Sequence, residues 1–517
     1  NAITFSCALK SVGTMEIVRE VHSEIESEGL QMGDPFIGNA LLNVYAKNGY
    51  LGAAREVFDK LLIRNLVSWS VVIAGYVEHG YNLEALQCYK QMQTEGTFSD
   101  SITVLSILIS CGSIQCNEMG REIHVDVQQR GLLERHNAVG IALLDMYAKC
   151  GSIVMAERVF DKLPVQDTTS WNVLIAGYIE HGLNFGALRC FKEMRDKGVP
   201  ADVVTFICCL RACGEIGTIC KGQEIDAEIR KWGVIENDTV LCNSLVNMYS
   251  KCGSISVAQH MFDRILVRDV ISWTTLIAGY AEHRHSEKAL RCFELMQLEG
   301  ISPNPITFSC ILKACSNLKN LEKLQDLSNE IERQGLLKTD LVVGCASVYA
   351  YAKCGMLARA KEVFEELPSH DVVSWTALLT GYSEHGHAHE AFKCFQQMEL
   401  EGVSSDSINF VCSLRACGQV ETIHKGKQLH CQITGNELLK SNQFVGSCLI
   451  DMYARYGLFV EAHQVFNSLL AQTVVTWTSL IAGYANYGQG EEALKFFEKM
   501  QLQRVTPNAI TIICILK

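Results

Sequence analysis

An all-α solenoid of stacked helical hairpins is the fold this sequence predicts, on three observations. Five of the six tryptophans, Trp69, Trp171, Trp273, Trp375 and Trp477, stand 102 residues apart. Met92, Met194, Met296, Met398 and Met500 keep that interval, as do the Gly-Tyr pairs that begin at Gly75, Gly177, Gly279, Gly381 and Gly483. Inside each interval, apolar residues recur at the helical spacing i, i+3, i+4, i+7 and glycines interrupt them. A fixed long period assembled from short helical pieces marks a repeat architecture.

The 102-residue unit contains three motifs, seen in Thr168 to Asp202 (35 residues), Val203 to Asp238 (36 residues) and Thr239 to Asp269 (31 residues). In the first, Trp171, Leu174, Ile175 and Tyr178 define one helix, Gly182 breaks it, and Ala187, Phe191 and Met194 define a second helix that ends at Gly198. The third motif repeats the design with Leu245, Met248 and Tyr249, then Cys252-Gly253, then Ala258, Phe262 and Ile265. Two helices this short cannot bury their apolar faces alone, so neighbouring hairpins must stack. Tiling gives about 15 hairpins, from a shortened copy at Ala2 to Asp34 to a fragment at Ala509 to Lys517. Neither end carries the polar cap a solenoid normally needs, which predicts an excerpt of a longer protein.

Composition fits this reading. At about 150 residues per domain, 517 residues would suggest three or four globular units, but the repetition replaces that division. With 48% hydrophobic residues, 20% charged and 7 prolines, disordered and collagen-like chains are excluded. The net charge of −12 (45 Lys and Arg against 57 Asp and Glu) disfavours nucleic-acid binding by bulk positive charge, so any such role must rest on local geometry. The longest uncharged stretch, Ser101 to Asn117, is too polar to span a membrane. The first residues, Asn1-Ala2-Ile3-Thr4-Phe5, show neither an initiator Met nor a basic apolar leader.

At three phrases the sequence resembles the pentatricopeptide repeat proteins, in the subclass where 35-residue, long and short motifs alternate. These are Val270-Ile271-Ser272-Trp273-Thr274-Thr275-Leu276-Ile277-Ala278-Gly279-Tyr280, Asn247-Met248-Tyr249-Ser250-Lys251-Cys252-Gly253 and Ile306-Thr307-Phe308-Ser309-Cys310-Ile311-Leu312-Lys313-Ala314-Cys315. The resemblance covers the whole chain, and a tetratricopeptide array would instead show a uniform period of about 34 residues. It implies a right-handed superhelix that binds single-stranded RNA one nucleotide per repeat, as a specificity factor for C-to-U editing in a mitochondrion or chloroplast. The reaction would reside elsewhere in the chain or in a deaminase or other editing protein acting in trans. It implies no cofactor, metal, membrane or small-molecule substrate.

In this family the fifth and last residues of a motif read the base edge. Here the residue after each tryptophan is Ser70, Asn172, Thr274, Thr376 or Thr478, and the motif's last residue is Asp100, Asp202, Asn304, Asp406 or Asn508. A short hydroxyl leaves room for a purine, whereas the longer Asn amide reaches a pyrimidine. A final Asp accepts from the imino N–H of guanine or uracil, and a final Asn donates to the ring nitrogen of adenine or cytosine, in places through water. The pairs then read guanine (Ser70 with Asp100), uracil (Asn172 with Asp202), adenine (Thr274 with Asn304), guanine (Thr376 with Asp406) and adenine (Thr478 with Asn508). Among short motifs, Asn39 with Asn65 reads a pyrimidine and Asn243 with Asp269 reads uracil, whereas Ile141, Cys345 and Ser447 are ambiguous. Long motifs carry Ser6, Leu105, Ile207, Ser309, Val411 and Ile513 at the fifth position and are assigned no base. With the N-terminus toward the RNA 5′ end, as the resemblance implies, the expected target is 5′-YGNNUNUANNGNNA-3′.

The second residue is usually apolar: Phe36, Val67, Val240, Ile271, Val342, Val373, Phe444 and Val475, with Thr169 and Ala138 departing. These side chains either sandwich neighbouring bases or pack against the adjacent repeat. Lys47, Lys149, Lys251, Lys353 and Arg455, spaced by 102, either meet phosphates or simply favour a helix C-terminus. Glu78, Glu180, Glu282, Glu384 and Asn486 occupy the equivalent place in the 35-residue motifs, so salt dependence should be modest.

Other features suggest chemistry without supporting it. The 23 cysteines fall in repeat phase, for example Cys88, Cys190, Cys292 and Cys394, and form no C-x-x-C, as expected of small buried packing residues. Histidines after Glu78, Glu180, Glu282 and Glu384 are expected to serve helix ends and solvent. His22-Ser23-Glu24 and His285-Ser286-Glu287 match half of a zinc deaminase signature, but no P-C-x-x-C follows, so no catalytic residue is expected in this segment. The remaining alternatives are a protein-interaction scaffold and an RNA stabilisation or splicing factor of the same fold.

Overall fold

The computed structural model describes residues 15–27, 35–231, 238–418, 423–436 and 438–517. Trp232 and Ser6 lie outside the described residues. All regular structure among the described residues is helical. The chain divides into two compact units, with the boundary between Leu266 and Val267.

Local chemistry sets each hairpin. Asn65 is extended and its side chain accepts from Ser68 N–H, which caps the helix Leu66–Glu78. Gly80, with φ of 80°, makes the left-handed turn into the second helix, Asn82–Thr94. Asp167 and Asp371 cap Thr168–Glu180 and Val372–Glu384 in the same way. The last residue of every 35-residue motif is thus also the N-cap of the next helix, as Asp100, Asp202, Asn304, Asp406 and Asn508 show.

In the first unit, the first helices of successive motifs pack in sequence, from Pro35–Lys47 through Leu66–Glu78, Ser101–Ser113, Asn137–Lys149, Thr168–Glu180 and Val203–Ile216 to Thr239–Lys251. The second unit repeats this order from Val270–Glu282 through Pro305–Leu318, Leu341–Lys353, Val372–Glu384, Ser407–Cys417, Gln443–Arg455 and Val474–Asn486 to Ala509–Leu516. Each unit is therefore a solenoid with its first helices in one layer.

The recurring residues are the packing of that layer. Trp69, Trp171, Trp375 and Trp477 are at most 2% exposed. Each meets a phenylalanine from the preceding short motif, Phe58, Phe160, Phe364 or Phe466, with ring centroids 4.5–4.7 Å apart. The glycine of each Gly-Tyr pair permits a close helix approach: a Cβ on Gly177 would stand 2.6 Å from the Ala148 Cβ.

Two expectations need correction. Four-residue helices, Leu132–Arg135 and Leu336–Thr339, follow the left-handed Gly131 and Gly335, so these long motifs hold more than two helices. One helical turn carries no period, which hides it from pattern reading. The histidines after Glu78 and Glu180 are not simply dipole and solvent groups. His79 Nε2 lies 2.9 Å from Ala46 O and His181 Nε2 lies 2.7 Å from Ala148 O, closing the end of the preceding motif's first helix.

Candidate nucleic-acid interface

Positions are counted from the first residue of each motif's first helix. At about 100° per residue, positions nine and thirteen lie within about 20° of position two, and position five about 60° from it. One face of each first helix therefore presents all four.

Position two is exposed throughout. Phe36, Val67, Val240, Ile271, Val342, Val373, Phe444 and Val475 are 44–80% exposed, so most of each side chain lies outside the packed core. The long motifs share this property at Ile102, Val204, Ile306, Ile408 and Ile510, which were not singled out from the sequence although they too recur every 102 residues. Thr169 and Ala138 are exposed as well.

The fifth residues lie deeper. Thr274, Thr478 and Asn243 are 7% exposed, and Ser70, Asn172 and Thr376 are half-buried. In two of these pairs the fifth and last residues hydrogen-bond to each other directly. Asn172 Nδ2 donates to both carboxylate oxygens of Asp202, at 2.9 and 3.1 Å. Asn39 Nδ2 donates to Asn65 Oδ1 at 3.3 Å. Asn243 and Asp269 fall in different units; Asp269 caps Val270–Glu282 through Ser272 N–H.

A third residue completes each connection. Thr205 Oγ1 donates to Asn172 Oδ1 at 2.6 Å and also contacts Asp202 Oδ1 at 2.8 Å. Thr274 and Thr307 hydroxyls meet at 2.6 Å, Thr478 and Thr511 at 2.7 Å, and Ser70 and Thr103 at 2.8 Å. Thr103, Thr307 and Thr511 in turn donate to Asp100, Asn304 and Asn508. Asn409 Nδ2 donates to Thr376 Oγ1 at 2.8 Å, and Ser68 Oγ donates to Asn39 Oδ1 at 2.6 Å. The signal was a polar third position in every such motif, recurring at 102 residues. Hydroxyls at Ser70, Thr274, Thr376 and Thr478 also lie 2.6–2.8 Å from the carbonyl four residues earlier, which fixes their rotamer.

Burial pulls the Asp202 carboxyl upward, but the Thr205 N–H, the Asn172 amide and the Thr205 hydroxyl outweigh it and hold the group below its ordinary value. It is an acceptor at neutral pH.

In the second unit a cavity of about 700 Å³ opens on this face, lined by Val342, Val373 and Ile408, by Cys345 and Thr376, and by Asp371 and Asp406. Positions two, five and last of successive motifs therefore face one space. Cys345 Sγ lies 3.7 Å from Asp371 Oδ1, and burial together with that carboxylate pushes its thiol up to about 12.

The thirteenth-position cations are engaged locally. Lys149 pairs with Asp145 at 2.8 Å, Lys251 with Glu215 at 2.5 Å and Arg455 with Asp451 at 2.9 Å. Lys353 donates to Asn317 Oδ1 at 2.7 Å, and Lys47 ends its helix.

Among the described residues no group of three or more His, Cys, Asp or Glu is placed to hold a metal. Burial pushes Cys111, Cys190 and Cys315 up to about 12. Iodoacetamide at neutral pH is expected to label the exposed Cys220 and Cys431 in the native chain and to spare these three. Peptide mass spectrometry reads the outcome, and labelling of Cys111 ahead of Cys220 would contradict the burial.

Fold and face together define a helical-hairpin repeat protein with paired polar residues between exposed apolar ones. The chain belongs to the pentatricopeptide (PPR) repeat family: the PPR repeat family model matches residues 166–215, 268–317, 370–419 and 472–517, and the PPR repeat model matches 39–66, 67–97, 142–166, 240–270, 348–372 and 447–472. A chloroplastic pentatricopeptide repeat-containing protein of Arabidopsis thaliana is 32% identical over 517 residues, covering 99% of this chain and 53% of that protein. A mitochondrial one from the same plant is 30% identical over 509 residues, covering 98% of this chain and 73% of that protein. The chain spans about half the length of the first of these relatives. Among solved structures, the pentatricopeptide repeat protein PPR10 from maize aligns with TM-score 0.62 at 18% identity, over 100% of this chain and 86% of that one. PPR10 in complex with an 18-nt psaJ RNA element aligns with TM-score 0.55 at 18% identity, over 93% of this chain and 81% of that one.

Proposed function

We propose that this chain is a sequence-specific single-stranded RNA-binding protein that reads one nucleotide per repeat. The observation that carries the reading is the joined pair at positions five and last, set between exposed apolar second residues, as in Asn39 with Asn65 between Phe36 and Val67. Apolar side chains such as Val342 and Val373 are free to stack on base faces, and the polar pair beneath supplies edge donors and acceptors. PPR10, whose fold this chain shares, is described in complex with RNA.

The module acts as a specificity factor for organellar C-to-U editing, with the deamination supplied by another domain or by a partner protein. Relatives named chloroplastic and mitochondrial support an organellar location. Asn243 with Asp269 enters the expected target on sequence alone.

The test is fluorescence anisotropy with 5′-UGUUUUUAUUGUUA-3′, which fills every unread position with U, against a permuted RNA of the same composition. The expected result is binding tighter by at least about 10-fold for the first, or about 1.4 kcal/mol. Equal affinities would defeat the register, and absence of binding to either RNA would defeat the RNA reading in favour of a protein scaffold.

A further inference from the structure

Position nine divides the three motif types. In the 35-residue motifs it holds Ala74, Ala176, Ala278, Thr380 and Ala482, and in the short motifs Asn43, Asp145, Asn247, Tyr349 and Asp451. In four of the five long motifs that follow it holds Arg211, Lys313, Arg415 and Lys517, with Ile109 the exception. Positive charge is thus placed once per 102 residues, in the motif whose fifth residue is least able to read a base.

The geometry brings these cations to the candidate interface. All four are exposed, on the helix face that presents position two. Lys313 lines the cavity it shares with Val342, Val373, Thr376 and Asp406. The Arg415 guanidinium lies 5.6 Å from the ring centre of Phe444, an exposed second residue. Lys517 donates to Asn486 Oδ1 at 2.8 Å.

Their surroundings distinguish them from the thirteenth-position row. Lys149, Lys251 and Arg455 are committed to carboxylates within 4.0 Å, whereas Arg211, Lys313 and Arg415 join no ion pair among the described residues. Carboxylates still surround them: Glu180, Glu282 and Glu384 on the preceding first helices act with Arg211, Lys313 and Arg415 on the same thiols, Cys208, Cys310 and Cys412, while Arg211 also acts on Glu215 of its own helix and Asp451 acts with Arg415 on Cys448. Asp202 and Asp406 also act on Cys208 and Cys412.

We infer that the long motifs anchor the RNA backbone: Arg211, Lys313 and Arg415 bind phosphates of the single strand, one per three nucleotides, while the other two motif types read bases. This rests on the RNA-binding reading above and assigns the long motif a role within it. A point cation beside a stacked base is placed for a phosphate and carries no sequence information.

The experiment measures affinity for 5′-UGUUUUUAUUGUUA-3′ across a salt series. It compares the wild-type chain, the triple variant Arg211→Gln, Lys313→Gln and Arg415→Gln, and a charge-matched triple of Lys149→Gln, Lys251→Gln and Arg455→Gln. Each phosphate neutralised on a single strand contributes about 0.7 to the slope of log K against log salt, so the first triple is expected to flatten the slope by about 2. The second should change it by less than about 1. Preference over the permuted RNA should be unchanged in both. A charge-retaining set, Arg211→Lys, Lys313→Arg and Arg415→Lys, should keep the wild-type slope. Equal flattening by the two Gln triples would mean bulk charge and overturn the inference. So would a wild-type slope with an altered Tm, which would make these residues mere counterweights to Glu180, Glu282 and Glu384. Failure of the wild-type chain to bind RNA would instead overturn the functional reading itself.

Discussion

Trp171→Ala is expected to destabilise the first unit by about 3–5 kcal/mol, the range for emptying a buried tryptophan site. Trp171 is 1% exposed and its ring meets Phe160 edge-on at 4.5 Å, so the loss falls on the interface between a short motif and the following 35-residue motif. In a solenoid, stability is close to a sum of repeat and nearest-neighbour terms, so weakening one interface uncouples the hairpins on either side. Urea unfolding followed by circular dichroism should therefore show a lower midpoint and a broadened transition. A midpoint within error of wild type would mean that the tryptophan does not hold the repeats together.

The double substitution Asn172→Thr with Asp202→Asn is expected to turn a uracil-reading pair into an adenine-reading one. RNA with A in place of the fifth-position U should gain affinity and the original should lose it, each by about 10-fold, or about 1.4 kcal/mol. Both new residues have precedents in the chain: Thr274 meets the Thr307 hydroxyl at 2.6 Å, and Asn304 caps the next helix through Thr307 N–H. Asn and Asp are nearly equal N-caps, so fold stability should hold within about 0.5 kcal/mol and leave selectivity as the readout. Unchanged selectivity in a stably folded variant would show that the last residue serves only as a cap.

That double role explains what was legible in the sequence. Trp171, Gly177 and Met194 announced the repeat because each fills or spares space at a buried contact: Trp171 and Met194 are at most 1% exposed, and a Cβ on Gly177 would collide with Ala148. Paired positions such as Asn172 and Asp202 were legible as polar residues in fixed phase. The sequence did not show that Thr205 joins them, because that contact crosses from one motif's first helix to the next and depends on stacking depth. Nor did it show that Ile102, Val204 and Ile306 stand as exposed as Val67, since apolar residues read as core until burial is known. The ninth-position cations were visible at 102-residue spacing, but only the face they share with Val342 and Thr376 gives them meaning. His79 was misread because its partner, Ala46 O, belongs to another hairpin.

If the paired residues at positions five and last set base preference, that preference must run in register with the repeats. Selection of RNA from a random pool by the full chain, followed by sequencing, tests it without assuming a target. Enrichment of G, U, A, G and A is expected at successive three-nucleotide steps, in the order set by Ser70, Asn172, Thr274, Thr376 and Thr478. A bound pool with no three-nucleotide register, or with the same bases in reversed order, would contradict it.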